Sequence, residues 1–244
     1  MVLFTSPSGR LYETVFTDDF SGNDINPEFW RKCPEMKRQD IGGMWKDEMA
    51  EVHDGNLWLW AGIDENGVPV SGAIRSKDIF EQTYGYFECR MMFQRTTGFW
   101  GAFWMMCGDV FTVDGSGVNG SELDIIENGD SPEDGVNHAI HWDGYGEEHK
   151  SLAHRMTRPE LYHGWHTYAL EWTPDEYIWY IDGKETWRSS ESGVCTRPGY
   201  LILSTEFGSW AAPIVKDELP DCCRFDYVKV YRETKKRTEF SPTV

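Results

Sequence analysis

Residues 121–128 read Ser-Glu-Leu-Asp-Ile-Ile-Glu-Asn and set three carboxylates, Glu122, Asp124 and Glu127, among large apolar side chains. The period-two alternation of an extended strand puts Glu122 and Asp124 on one face and Leu123 and Ile125 on the other. Glu127 breaks that parity and would turn into the core, unless one extra residue is taken up as a β-bulge around Ile125-Ile126. With the bulge, all three acids share a face. Like charges a few ångströms apart disfavour joint ionisation, so such a row holds at least one proton near neutral pH. One ionised carboxylate beside one protonated carboxyl is what retaining glycoside hydrolysis uses. The first attacks the anomeric carbon, and the second, roughly 5–5.5 Å away, protonates the leaving oxygen. On a flat strand the outer pair would stand ~13 Å apart at Cα, so the side chains must converge over a substrate. The plain alternative is a solvated strand face, and the row alone does not decide between the two.

The elements around this row are strands. Short apolar or alternating runs recur between turn signals, as in Asn56-Leu-Trp-Leu-Trp-Ala61, Gly85-Tyr-Phe-Glu-Cys-Arg-Met-Met92, Thr167-Tyr-Ala-Leu-Glu-Trp172 and Tyr177-Ile-Trp-Tyr-Ile181. That punctuation predicts an all-β sandwich. Asp54-Gly-Asn, Glu65-Asn-Gly, Thr97-Gly and Asp182-Gly-Lys are the turn signals, with Asp182-Gly183 the clearest hairpin. Helical periodicity is weak, with a turn or two expected at 157–161, where Pro159 follows a capping Thr. Residues 108–120, rich in Gly, Asp, Ser and Asn, form a loop leading into the acidic strand. A chain of 244 residues suits one domain of this class. We expect it to span 1–232, with a frayed surface tail at 233–244.

Composition narrows the partners. The formal charge is −18, from 41 acidic against 23 basic side chains, so nucleic acid and anionic membrane surfaces are repelled at long range. No stretch approaches the ~18 apolar residues of a membrane span. Twelve Trp call for either a large core or flat faces offered to a ligand, and a carbohydrate is one such ligand. The six cysteines, Cys33, Cys89, Cys107, Cys195, Cys222 and Cys223, form no C-x-x-C pair and read as mostly buried thiols, with one or two disulfides as the rival. The N-terminus lacks a basic region followed by an apolar stretch, which leaves a cytoplasmic protein or one whose signal peptide has been removed.

The chain resembles glycoside hydrolase family 16, the laminarinase and lichenase superfamily, whose signature in its bulged form is Glu-x-Asp-x-x-Glu. Glu122-Leu-Asp124-Ile-Ile-Glu127 matches it position by position. Further matches run nearly the whole length: Phe16-Thr-Asp-Asp-Phe-Ser-Gly with Phe29-Trp30, Gly72-Ala-Ile-Arg-Ser-Lys, Tyr84-Gly-Tyr-Phe-Glu, Gly98-Phe-Trp-Gly-Ala-Phe-Trp104, Trp165-His-Thr-Tyr-Ala-Leu-Glu-Trp172, Ile181-Asp-Gly and Phe225-Asp-Tyr-Val-Lys-Val-Tyr231. The resemblance implies a jelly roll of two curved antiparallel sheets with an open concave cleft. It makes Glu122 the nucleophile, Glu127 the acid and base, and Asp124 the residue between them that assists the nucleophile. No cofactor is needed for that catalysis. It also implies a structural calcium on the convex side, held by Asp19, the Gly55 carbonyl and Asp226, which are hard oxygen donors. Secretion, or a place at the bacterial cell surface or periplasm, goes with it.

Cleft candidates follow from the same matches. Trp100 and Trp104 serve as stacking faces or as core. Arg75 binds a sugar hydroxyl or carboxylate, or else forms a surface salt bridge. His138 and His141, three apart on one strand, point to opposite faces, which argues against a shared metal. His141 and Trp142 match the family's cleft strand, and Glu206 with Trp210 are expected to meet the sugar nearby. The sequence departs from the family just before the first acid: laminarinases carry Trp-Pro-x-x-Gly there, and this chain has Gly117-Val-Asn-Gly-Ser-Glu122. The enzyme is expected to be a monomer, and the expected partner is an oligo- or polysaccharide substrate. It is first a neutral β-1,3- or mixed β-1,3/1,4-glucan and second a β-galactoside of the mucin type, and net acidity weighs against sulfated polymers. The rival class is a non-catalytic carbohydrate-binding module, which has no use for a repulsive row of acids. A transglycosylase would carry the same residues as a hydrolase.

Overall fold

The structure is a computed structural model that describes residues 2–34, 41–129 and 135–234. The strands in chain order are β1 (Leu3–Thr5), β2 (Leu11–Asp18), β3 (Arg31–Lys32), β4 (Met44–Trp45), β5 (Ala50–His53), β6 (Asn56–Ile63), β7 (Pro69–Ser71), β8 (Ala73–Arg75), β9 (Gly85–Met92), β10 (Trp100–Gly108), β11 (Gly120–Glu127), β12 (Gly135–Trp142), β13 (Lys150–Thr157), β14 (His166–Trp172), β15 (Tyr177–Ile181), β16 (Lys184–Ser189), β17 (Gly199–Glu206) and β18 (Asp221–Glu233). Three short 3₁₀ turns complete the list, one of them Pro159–Tyr162, where the Thr-Arg-Pro signal predicted a turn. Among the described residues no helix is long and apolar enough to cross a membrane.

These strands form two sheets. A seven-stranded sheet runs β13-β12-β11-β10-β17-β8-β3, and an eleven-stranded sheet runs β16-β15-β14-β9-β18-β6-β7-β4 with β1, β2 and β5 attached. The smaller sheet carries the acids and is called the cleft sheet below. Alternation decides what lies between the sheets. From β11 come Leu123, Ile125 and Ile126, from β10 Phe103 and Met105, and from the facing sheet Phe87, Leu170, Trp172, Trp179 and Val228, all fully buried. Burial of this apolar surface, at roughly 25 cal/mol per Å², is the main force holding the sheets together. The hairpins close where the sequence marks them. Asp54-Gly55 and Asp182-Gly183 both take positive φ, 52° with 70° and 49° with 70°, as a two-residue type I′ turn requires.

All six cysteines are free thiols, five buried and Cys222 half-buried. The expected tail boundary shifts: β18 runs through Glu233, and the Thr234 N–H donates to the Leu11 carbonyl at 2.9 Å. The rest of the predicted tail, with Lys235-Lys-Arg, lies outside the described residues.

Candidate active site

The bulge is present on β11. Trp104 faces Asp124 while Phe103 faces Ile126, and on the other side Asp124 faces Ala139 while Glu127 faces Asn137. Three residues of β11 thus span two on β10, and four span three on β12. Bulged backbone loses ladder partners, and here two core side chains take up its carbonyls. Trp179 Nε1 donates to the Asp124 carbonyl at 3.0 Å, and His138 Nδ1 donates to the Ile125 carbonyl at 2.6 Å. His138 Nε2 in turn accepts from Thr186 Oγ1 at 2.9 Å. His138 does point away from His141, as their spacing predicts.

Register then builds the cleft as rows across the sheet. One row is Ser151, His141, Glu122, Met106 and Tyr200. The next is Ala153, Ala139, Asp124, Trp104, Ile202 and Arg75. The third begins Arg155, Asn137, Glu127 and Ala102, and beyond it Trp100 lies opposite Glu206. Together with Trp210, these residues line a cleft of about 670 Å³. Arg75, Trp100, Trp104, His141, Glu206 and Trp210 therefore meet the three acids in one concavity. Trp100 and Trp210 stand edge to face at 5.2 Å at the Glu127 end, and Trp104 is fixed by its Nε1 donating to Ser204 Oγ at 3.0 Å.

Trp142 corrects the expectation. One residue after His141 on a regular strand, it turns to the opposite face and packs in the core between the sheets.

The three acids differ in their surroundings. The Glu122 carboxyl is pushed up to about 8 by burial and by the Asp124 charge, while the His141 charge and a hydrogen bond from Tyr145 act the other way. The Tyr145 hydroxyl donates to Glu122 Oε2, and His141 Nε2 lies 3.3 Å from Asp124 Oδ2 and 4.0 Å from Glu122 Oε1. Glu127 is raised well above the usual range by burial, then by Asp124, Glu122 and Glu206, with only an Asn137 hydrogen bond opposing. The row cannot be fully charged. With the Tyr145 hydroxyl donating to Glu122 and the His141 ring nearby, against one amide at Glu127, the surroundings favour the shared proton on Glu127. Burial opposes protonation of His141, but its hydrogen bond to Asp124 and the charges of Asp124 and Glu122 raise it overall. Its Nδ1 reaches His149 Nε2 at 2.9 Å, with the rings stacked.

Tyr145, His149 and Phe111 were not among the sequence candidates. Tyr145 sits in the β12–β13 loop and Phe111 in the β10–β11 loop, their rings 5.6 Å apart and both partly exposed. Asp143 ties the loops together: its Oδ1 accepts from the Asp114 and Gly115 N–H groups at 3.0 Å, and its Oδ2 from Lys150 Nζ at 2.8 Å. Gly144 N–H adds a bond to the Val110 carbonyl at 2.7 Å. This aromatic wall stands at the Glu122 end, where the family's Trp is missing. The one signal in the sequence is an aromatic flanked by glycines, Gly144-Tyr145-Gly146, in a loop following the cleft strand.

The calcium set fares differently. Register brings it to one corner of the larger sheet, with Asp18 opposite Val228 and Leu57 opposite Phe225. There, however, Arg90 Nη1 holds Asp226 Oδ2 at 2.6 Å, and Asp19 accepts the Ser21 N–H at 3.2 Å with Lys229 nearby. A guanidinium already takes the place beside Asp226, so Asp19, Gly55 and Asp226 do not fit a calcium ion.

The family model "Glycosyl hydrolases family 16" matches residues 37–227. The chain belongs to that family. Among curated relatives it is 30% identical to the endo-1,3-1,4-beta-glycanase EglC of Rhizobium meliloti (strain 1021), over 66% of this chain and 33% of that protein. It is also 30% identical to a keratan-sulfate endo-1,4-beta-galactosidase of Sphingobacterium multivorum, over 68% of this chain and 42% of that protein. The chain thus spans about a third of the length of the first of these. Among solved structures, SCLam, a non-specific endo-beta-1,3(4)-glucanase, superposes with a TM-score of 0.78 over 96% of this chain and 94% of its own; at 22% identity this family 16 member shares the two-sheet jelly roll.

Proposed function

We propose that this family 16 domain is a retaining endo-β-glycosidase that cuts internal linkages of a β-1,3- or mixed β-1,3/1,4-glucan. The observation that carries the reading is the bulged strand, which turns Glu122, Asp124 and Glu127 to one face and gives Glu122 and Glu127 unlike partners. In the first step ionised Glu122 attacks the anomeric carbon, Glu127 gives its proton to the departing glycosidic oxygen, and a glycosyl ester forms on Glu122. In the second step Glu127, now a base, takes a proton from water, whose oxygen displaces Glu122 and restores the original anomeric configuration. Asp124 and His141 hold the charge balance between the two carboxyls, and Tyr145 steadies the nucleophile until a sugar enters. The long cleft with residues on both sides of the acids supports an endo mode of attack. Secretion is proposed with the same reading.

A β-galactoside backbone is the second reading, supported by the Phe111–Tyr145 wall where the laminarinase Trp is absent and by the galactosidase relative. The test is Glu122→Gln assayed on laminarin, lichenan, barley glucan and a mucin O-glycan pool. Turnover is expected to fall by at least about a thousandfold with folding and oligosaccharide binding kept. Undiminished turnover would refute the assignment, and a wild-type enzyme that cuts only the O-glycans would select the second reading.

A further inference from the structure

The catalytic cleft does not end at the aromatic wall. Met106, Phe111 and Tyr200 line it and also line a second cavity of about 690 Å³, whose other walls include Lys77, Asn119 and Arg197. The ridge of these three side chains divides one continuous groove into two lobes, with the acids in the first.

The second lobe is less acidic than the molecule as a whole, with two cations, Lys77 and Arg197, beside two acids, Glu81 and Asp109. Lys77 Nζ sits 5.5 Å over the Tyr200 ring, and Arg197 Nη2 donates to Asn119 Oδ1 at 3.1 Å. Arg75, two residues before Lys77, reaches the first lobe beside Tyr200 and keeps a buried Nε with no hydrogen-bond partner. Among the described residues none of Arg75, Lys77 and Arg197 stands within 4.0 Å of a carboxylate oxygen, although acids outnumber bases 41 to 23. Two acids do line the second lobe, but both turn to backbone. Asp109 Oδ1 accepts the Phe111 N–H at 3.1 Å, and Glu81 Oε1 accepts the Asp78 N–H at 3.3 Å. Several cations of this surface do find a carboxylate, as Arg31 finds Asp78 at 3.8 Å and Arg188 finds Glu185 at 2.6 Å. Leaving three unmatched along one flank of a substrate groove supplies the donors that a sulfate ester or carboxylate needs.

We propose that the second lobe is a subsite for an anionic substituent, a sulfate ester or a sugar carboxylate, carried by the glycan a few residues from the scissile bond. The first lobe, with its acidic row, repels such a group, so the bond that is cut lies between uncharged sugars and the anion falls beyond the ridge. Net charge weighs against sulfated polymers at long range, whereas this flank recognises them at contact, within a Debye length of about 8 Å at physiological salt. The proposal rests on the β-glycosidase reading only for which chain enters the groove.

The experiment compares wild type with the double variant Lys77→Ala/Arg197→Ala on matched oligosaccharides of one backbone: anionic, desulfated, and carboxyl-reduced. Wild type is expected to favour the anionic form. The double variant should lose about tenfold in kcat/KM on it and keep its rate on the neutral form. Which modification removes the preference tells sulfate from carboxylate. Equal loss on both forms, or a wild type indifferent to charge, would overturn the proposal. Calorimetric binding of the same pairs to Glu122→Gln protein reads the subsite without turnover. Charge-dependent binding there with no cleavage by wild type would count against the catalytic reading and for the subsite, whereas charge-independent binding would sink the subsite alone.

Discussion

Asp124 sets the working range of its two neighbours. Its charge raises both Glu122 and Glu127, second only to burial in each case. Glu122 must be ionised on the acid side of the rate profile and Glu127 protonated on the alkaline side. Asp124→Asn removes that charge and lowers both groups, so both limbs of the kcat/KM profile should move to lower pH, by about one unit, along with a loss of rate. A profile that keeps its alkaline limb would show that Asp124 does not act through charge. The three acids were legible in the sequence because their spacing lies within one strand. Tyr145 was not, since it reaches Glu122 from a loop 23 residues further on, and nothing in a local pattern says where a loop folds back.

The bulge is an element-scale device, and its cost is carried by one side chain from the neighbouring strand and one from the facing sheet. His138 and Trp179 satisfy the carbonyls of Ile125 and Asp124. His138→Leu leaves the Ile125 oxygen buried and unpaired and should cost about 1–3 kcal/mol in urea unfolding at pH 7, with a fall in kcat as Glu127 loses its aim. Burial holds His138 down to about 3, so between about pH 6.5 and 3 the unfolded chain binds a proton that the folded chain lacks. Stability should therefore decline with acid in wild type, and His138→Leu should lack that component. Equal midpoints for both proteins at pH 7 and pH 5 would remove His138 from this role. Parity along β12 explains Trp142 as well: resemblance to a cleft strand placed it beside His141, and the pleat sent it to the core.

Across the whole molecule the formal charge of −18 works against compactness. Raising NaCl from about 10 mM to about 150 mM shortens screening from about 30 Å to about 8 Å. The Tm at pH 7 should then rise by about 2–5 °C by scanning calorimetry, and a Tm that falls would mean favourable surface ion pairs outweigh the self-repulsion. The sum of charges describes repulsion over distance and not the flank where Arg197 joins Arg75 and Lys77 from a distant part of the chain. By itself, the sequence determined the two-sheet architecture and the hairpins at Asp54-Gly55 and Asp182-Gly183, because each depends on periodicity or turn chemistry within a few residues, while the bulge that gathers three acids entered as a condition that the family resemblance supplied. Only the tertiary structure decided which aromatics face the cleft, that Phe111 and Tyr145 wall it, that Arg90 meets Asp226, and that Lys77 and Arg197 meet beyond the ridge. Each of these depends on register between strands and on loop closure, where side chains far apart in the chain become neighbours.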